Sequence, residues 1–209
     1  MINLTFLLYL FPGLIIGLTF HEAAHAYSAL LLGDKTAYKM GRVSLDPLRH
    51  LSPLGTLALF FLGFGWGKPV LINVFNFERP RRDYLLSSLA GPGANLLICL
   101  AIWLMLRLPM PDQVKAFLVG TYLINGILAV LNLIPISPLD GSKIWPCIIP
   151  GMKIVNPSRF RMTGLIILLL LIFTGGIAMV LDPVLGFMLD ALMDKSLVNT
   201  FYEVVKVKA

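Results

Sequence analysis

The chain has 209 residues, of which 57% are hydrophobic and only 13% are charged, and its mean hydropathy is +0.84. Soluble domains carry about a quarter charged residues, so this composition excludes an ordinary soluble domain and favours an integral membrane protein. The net charge of +6 does not indicate a nucleic-acid partner, because the basic residues lie between apolar runs, where membrane topology explains them.

Four apolar runs are long enough to cross a bilayer, which takes about 20 mostly apolar residues. They cover residues 4–32, 84–106, 115–133 and 162–181. We expect the first helix to begin near Pro12, since proline is favoured in a first helical turn. Residues 183–195 are predicted to form an amphipathic helix that lies on the membrane surface.

Three segments between the first two runs predict a different structure. Residues 37–45 and 70–77 alternate loosely between apolar and polar side chains, which predicts short β-strands. Residues 51–67 are apolar but contain Pro53 and four glycines, so we interpret them as a re-entrant segment, a form tolerated where protein buries it.

Together these elements predict one membrane domain over residues 1–209. Its fold class is an all-α bundle of about four to six transmembrane segments, with a re-entrant segment and short strands. The core covers residues 10–150, and a C-terminal span with an amphipathic tail covers 160–209.

The distribution of basic residues predicts the orientation of this bundle. If the re-entrant segment does not cross, segments 33–83 and 141–161 lie on one side and hold 8 and 4 of the 17 Lys and Arg residues. By the positive-inside rule that side is cytoplasmic.

The first span contains His21-Glu22-Ala23-Ala24-His25, which fits the pattern H-E-x-x-H. Positions i and i+4 share one face of a helix, so both imidazoles can reach one Zn²⁺, and Glu22 can accept a proton from the attacking water. Ionisable groups near the centre of a spanning helix cost about 2.5 to 3.5 kcal/mol each, which favours a functional role. The alternative is that the histidines reach the interface or hydrogen-bond within the bundle.

A catalytic zinc site usually takes three protein ligands and leaves one position open. Most candidates for the third ligand lie in charged loops, where a solvated or salt-bridging role is favoured. Asp140 differs because it follows an apolar span, prolines before it unwind the helix, and a glycine after it permits a turn. Irregular backbone at membrane depth usually lines a site. The alternative for Asp140 is a turn residue at a helix end. The candidates are His50, Asp34, Asp46, Glu78, Asp83 and Asp140.

The histidine motif at the end of an apolar helix, followed far downstream by Leu139-Asp140-Gly141, resembles the site-2 protease family of intramembrane zinc metalloproteases, peptidase family M50. Gly-Phe-Gly-Trp-Gly-Lys-Pro-Val at 63–70 and Ala-Gly-Pro-Gly-Ala-Asn at 90–95 resemble its short bacterial and archaeal branch, without a PDZ or CBS domain. The resemblance covers roughly residues 10–150.

The resemblance implies that His21, His25 and Asp140 bind one Zn²⁺ and that Glu22 is the catalytic general base. It also implies substrate-binding roles for Asn132 and Asn95, for which capping of a broken helix and hydrogen bonding within a helix are the respective alternatives. Strands beside the site would pair with an unwound substrate. The expected location is the prokaryotic plasma membrane, crossed several times, with the active site towards the cytoplasm.

The function predicted from these features is an intramembrane endopeptidase that cleaves a transmembrane protein or peptide. An intramembrane metal transporter is one alternative, although transporters often carry ionisable residues on several spans and internal repeats. A non-catalytic scaffold that keeps a structural zinc is the other, although structural zinc usually has four protein ligands.

Overall fold

The computed structural model describes residues 4–55, 67–154 and 161–192, together with residues 197 and 199. Within these ranges the chain is mostly helical. A 3₁₀ helix covers Val74–Asn76. The α-helices are α1 (Leu4–Leu31), α2 (Thr36–Lys39), α3 (Pro47–His50), α4 (Pro80–Met105), α5 (Asp112–Leu131), α6 (Gly141–Ile148), α7 (Arg161–Phe173) and α8 (Gly176–Ala191).

The centre of the fold is a bundle in which α1, α4 and α5 pack against one another. In the described part of the chain, α4 and α5 are each long and apolar enough to cross a membrane. Helices α7 and α8 meet at an angle of 67° and make a third span if they act as one. A mostly helical fold with two or three candidate membrane spans is therefore confirmed for the described residues, whereas the count of four to six spans stays a prediction.

Small residues let α1 and α5 approach closely. A Cβ at Gly13 would lie 2.7 Å from Thr121 Oγ1, and a Cβ at Gly17 would lie 2.8 Å from Asn125 Oδ1. Such glycines allow helix backbones to pack tightly where no water drives their association. Polar side chains of α5 can therefore reach the backbone of α1, at the level just before its histidines.

Two predicted helix boundaries are wrong. Helix α1 begins at Leu4, so Pro12 lies inside it and does not start it. The predicted span 162–181 is broken, because Gly175 adopts a left-handed conformation with φ of 77° that ends one helix and precedes the next.

The predicted surface helix over 183–195 overlaps the second half of α8 and extends past the described range that ends at residue 192. Pro183 lies within α8, which starts at Gly176. Met188 and Leu192 are buried in a hydrophobic cluster with Ile102 and Val119 of the central bundle. One face of α8 therefore packs against α4 and α5, and its position relative to the membrane surface stays a prediction.

The two predicted β-strands are not formed. Among the described residues the one β-pairing is an isolated antiparallel bridge between Leu51 and Gly67. Residues 37–45 start as helix α2, because the Asp34 side chain accepts the amide of Thr36 at 3.0 Å and closes a turn there.

Within residues 70–77, two backbone amides donate to carboxylates rather than to a neighbouring strand. Val70 N donates to Glu22 and Asn73 N donates to Asp34. The chain then turns into the 3₁₀ helix at Val74. Most of the predicted re-entrant segment, residues 56–66, lies outside the described residues, so that prediction stays untested.

Candidate metal centre

The two histidines of α1 and the carboxylate of Asp140 meet inside the bundle. The Nε2 atoms of His21 and His25 lie 3.1 Å apart, and each lies 2.9 Å from Asp140 Oδ2. The three residues are only 3–5% exposed. One turn of α1 thus aims both imidazoles at the same carboxylate oxygen, as expected for positions i and i+4 of a helix.

Asp140 reaches the histidines because the chain unwinds between α5 and α6. The amide of Gly141 donates to the carbonyl of Asn132 at 2.6 Å, which folds the start of α6 back onto the end of α5. A Cβ at Gly141 would overlap the carbonyl oxygens of Leu133 and Ile134. Glycine is therefore required for this turn, and the turn places Asp140 beside α1.

The outer nitrogen of each imidazole is held by α4. His25 Nδ1 donates to the carbonyl of Ser87 at 2.6 Å, and a carbonyl can only accept. His21 Nδ1 lies 2.6 Å from Asn95 Oδ1, while the Asn95 amide nitrogen donates to the carbonyl of Gly17. Both protons therefore sit on Nδ1, and both Nε2 lone pairs face the centre.

Helix α5 extends this arrangement by one more amide. Asn125 Oδ1 accepts from Asn95 Nδ2 at 2.9 Å, and Asn125 Nδ2 donates to the carbonyls of Thr121 and Gly13. Asn95 and Asn125 are fully buried. Every N–H donor of the two asparagine side chains in this hydrogen-bond network has an acceptor, so three helices fix the orientation of His21.

These atoms fit a tetrahedral cation. Zinc bonds of about 2.0–2.2 Å to nitrogen and oxygen place neighbouring ligand atoms roughly 3.3 Å apart. The separations of 2.9–3.1 Å are a few tenths shorter, and small movements open them. Two facing lone pairs and a buried carboxylate repel each other unless a cation lies between them. Among the described residues, this is the one group of three His, Cys, Asp or Glu side chains that converges in this way.

Helix α4 touches the metal centre through a glycine. A Cβ at Gly91 would overlap His25 Nε2 and lie 2.6 Å from His21 Nε2, whereas a Cβ at Gly93 meets nothing within 4 Å. Only Gly91 makes this approach, and it does so to the imidazoles.

A cavity of about 240 Å³ opens beside the three residues and is lined by Glu22, Val70, Asn132 and Lys143 as well. Glu22 Oε2 accepts the amide of Val70 at 2.9 Å. Lys143 Nζ lies 2.6 Å from Asp140 Oδ1. A carboxylate and an ammonium group therefore share this cavity with the candidate ligands.

The segment that holds Glu22 is itself fastened by a buried arginine. Arg42 is 8% exposed and donates to the carbonyls of Lys68 and Pro69. Burial lowers the pKa of Arg42, and the negative charge of Glu22 raises it. Burial is the larger effect, so the pKa of Arg42 lies below its usual value. Lys68 N donates to the carbonyl of His50 at 2.6 Å, which ties the segment to α3.

The other candidates for a third ligand lie elsewhere. His50 donates from Nε2 to the carbonyl of Ser44. Asp34 binds the backbone and side chains of its own loop and of Asn73 and Asn76. Asp46 caps α3, Asp83 accepts from Arg79 and Arg82, and Glu78 is exposed. None of them joins the group around the two histidines.

Asn132 lines the cavity, but its side chain donates to the carbonyl of Leu128 at 2.9 Å. That contact is the helix-end role weighed as its alternative, and contact with substrate stays a prediction.

Sequence reasoning missed Ser87, Asn125, Lys143 and Arg42. Of these, only Lys143 had a usable pattern, because it lies three residues after Asp140, one helical turn on.

Comparisons with known proteins agree on one group of relatives. The chain is 35% identical over 195 residues to "Putative zinc metalloprotease YwhC" of Bacillus subtilis, covering 88% of this chain and 89% of that protein. It is 30% identical over 171 residues to "Putative zinc metalloprotease Rip2" of Mycobacterium tuberculosis H37Rv, covering 76% and 65%. The Rip2 protein of Mycolicibacterium smegmatis is 30% identical over 139 residues, covering 62% and 52%.

No protein-family model matches the chain, and no solved structure matches it. The match to YwhC nevertheless extends over nearly the whole of both proteins. The chain belongs to the family of zinc metalloproteases that includes YwhC and Rip2.

Proposed function

We propose that this chain is an intramembrane zinc endopeptidase that hydrolyses a peptide bond within or near a transmembrane segment of a membrane protein. The observation that carries the proposal is the meeting of two Nε2 atoms and Asp140 Oδ2 within 3.1 Å, beside a cavity that Glu22 also lines. Membership in a family of zinc metalloproteases supports the same chemistry.

In this proposal His21, His25 and Asp140 hold one zinc ion and leave a fourth position open, as catalytic zinc sites do. The chemistry supplied by zinc, when bound, is Lewis acidity, which polarises a carbonyl and makes water acidic near neutral pH. Ser87 and Asn95 keep both imidazoles in the tautomer that ligates through Nε2.

Glu22 is the proposed general base. It lies next to a ligand in sequence and faces the same cavity, so it can take a proton from the attacking water and deliver it to the leaving amine. The amide of Val70 holds one carboxylate oxygen, which fixes the side chain in the cavity. The second oxygen is then the one placed to accept the proton.

The apolar helices around the site support a substrate taken from the membrane. Peptide bonds in a helix are shielded by their own hydrogen bonds, so the substrate must unwind before a carbonyl can reach the cavity. We place the protein in the plasma membrane of a prokaryote with the site towards the cytoplasm, because the basic residues concentrate in segments 33–83 and 141–161.

Metal analysis combined with a cleavage assay on transmembrane peptides tests the proposal. We expect one zinc per wild-type chain. Glu22→Gln should keep that zinc and lose about 10²- to 10⁴-fold in cleavage rate, the usual contribution of a general base. Asp140→Ala should lose both zinc and cleavage, whereas Glu78→Gln, at an exposed position, should change neither.

Three results would contradict the proposal. Cleavage retained by purified Glu22→Gln would remove its mechanism. Zinc flux into liposomes that survives Glu22→Gln would indicate a transporter. Stoichiometric zinc in the wild type without cleavage of any transmembrane peptide would indicate a scaffold.

A further inference from the structure

The two oxygens of Asp140 have different partners. Oδ2 faces both histidine Nε2 atoms at 2.9 Å, whereas Oδ1 accepts a hydrogen bond from Lys143 Nζ at 2.6 Å. A carboxylate can bind a metal through one oxygen or through both. Here one oxygen points to the centre of the site and the other is already engaged.

Lys143 is built into the site. It lies on α6 one turn after Asp140, its side chain is 17% exposed, and it lines the cavity that Glu22 also lines. Buried lysines are rare unless they are paired. A charge-assisted hydrogen bond of 2.6 Å is short, and bonds of this type are about twice as strong as neutral ones.

We propose that Lys143 is a positioning residue that restricts Asp140 to one-oxygen coordination of the metal and so limits the ion to three protein ligand atoms, which leaves room for both water and substrate. The inference rests on the proposed zinc peptidase function. Zinc readily expands from four to five ligands. Without an ammonium group on Oδ1, the second oxygen would be free to turn towards the ion, add a fifth ligand beside the bound water and crowd the position that the substrate carbonyl needs.

The competition is local and follows from geometry. If Oδ1 moved to the metal, Lys143 would lose its carboxylate partner inside a largely apolar cavity, where an unpaired charge is costly. Groups that hydrogen-bond a ligand in this way fix its orientation and alter both metal affinity and activity. Lys143 thereby acts through Asp140, without contact with the reacting atoms.

Cobalt(II) substitution reports the coordination number directly. Four-coordinate cobalt(II) absorbs visible light more strongly than five-coordinate cobalt(II), because a tetrahedral ligand field mixes more p character into the metal d orbitals; the spectrum is therefore diagnostic of geometry. The comparison uses wild type, Lys143→Met and Lys143→Arg, all loaded with cobalt. Lys115→Met is the matched control, because Lys115 forms an i,i+3 pair with Asp112 away from the site.

We expect Lys143→Met to bind one cobalt per chain, to lose visible absorption, and to lose about 10- to 100-fold in kcat with zinc bound, as for other changes around a ligand. Lys143→Arg keeps a cation that can donate to Oδ1 and should recover most of the wild-type spectrum. Lys115→Met should match the wild type.

A Lys143→Met protein with the wild-type spectrum and kcat would overturn the inference and leave the peptidase proposal intact. X-ray absorption on zinc-loaded wild type provides a test without any variant. Two short bonds to one carboxylate there would also overturn it. A wild type that binds zinc but cleaves nothing would instead overturn the proposed function.

Discussion

Two parts of the cavity wall are held in different ways. On the metal side, formed by His21, His25 and Asp140, a group of α4 fixes each imidazole. On the loop side, a backbone amide of the connecting segment 67–77 fixes Glu22. Ser87 and Asn95 hold the histidines from within a long helix. Val70 holds Glu22 from a segment with no regular hydrogen-bond ladder. The ligands therefore inherit the rigidity of the bundle, and the proposed base depends on a loop.

That loop is secured by side chains rather than by secondary structure. Asp34 accepts the amide of Asn73, Arg42 donates to the carbonyls of Lys68 and Pro69, and His50 O accepts from Lys68 N. Loops held by few contacts open at lower free energy than packed helices. Metal binding and proton transfer should accordingly respond to different substitutions.

The largest expected effect comes from the metal side. Gly91→Ala places a methyl group where the two Nε2 atoms meet, so zinc affinity should fall by more than the roughly 100-fold seen for changes around a ligand. Gly93→Ala, two residues along the same helix and with open space around its Cβ, should bind zinc like the wild type. Competition with a chromophoric chelator measures both. Equal zinc affinity of the two variants would contradict the placement of α4 against the imidazoles.

The metal side was also the part most readable from the sequence. The i,i+4 spacing of His21 and His25 places both side chains on one face of a helix, and the prolines before Asp140 indicate an unwound segment. What the sequence left open is which side chain each imidazole contacts. Ser87 and Asn125 act through a carbonyl and an amide on other helices, and no local pattern distinguishes them from ordinary helix residues.

The loop side was read less well, for a physical reason. Nine residues of loose alternation at 37–45 do not separate a strand from a turn followed by a loop. The Asp34 carboxylate stabilises the turn rather than a strand. It accepts the amide of Thr36, which closes the turn, and the amide of Asn73, which lies 39 residues downstream. A hydrogen bond between a carboxylate and a backbone amide far away in the sequence leaves no periodic pattern of residues from which it could be predicted. The break at Gly175, by contrast, lies in a Gly-Gly pair, a local signal that the prediction of one span over 162–181 overlooked.

The intermediate effect is expected at Arg42. Arg42→Met removes the donors to Lys68 O and Pro69 O, so the segment carrying Val70 N should shift relative to Glu22. Displacements of about 1 Å cost up to roughly 100-fold in rate. We expect kcat to fall by that order while zinc stoichiometry stays at the wild-type value.

Arg49→Met is the matched control for this loss, because Arg49 is half exposed and donates to Gly41 O away from the cavity. Its kcat should equal that of the wild type. Loss of zinc from Arg42→Met would show that the two sides of the cavity are not separable.

The smallest expected effect concerns Asp34, whose contribution to stability depends on pH. Burial raises the pKa of Asp34, but hydrogen bonds from Thr36, Asn76 and the amide of Asn73 outweigh it, and the net pKa lies below its usual value. A lowered pKa in the folded protein means that this stabilisation is present above the unfolded pKa of about 3.9 and is lost as pH falls through the folded value.

Asp34→Asn should therefore lower the free energy of unfolding at neutral pH by about 1.5–3 kcal/mol, the range for hydrogen bonds to a charged group. The difference from wild type should shrink as the pH falls below about 3.9, because the carboxylate of the unfolded chain takes up a proton first, and it should vanish once the folded carboxylate is neutral as well. Thermal unfolding in detergent at pH 7 and pH 3 measures it, with Asp46→Asn at a half-exposed cap as the control. Because Asp34 secures the segment that holds Glu22 and touches no candidate ligand, zinc affinity of the folded variant should be unchanged at neutral pH. A destabilisation of the same size at both pH values would mean that the ionised carboxylate does not fasten this loop.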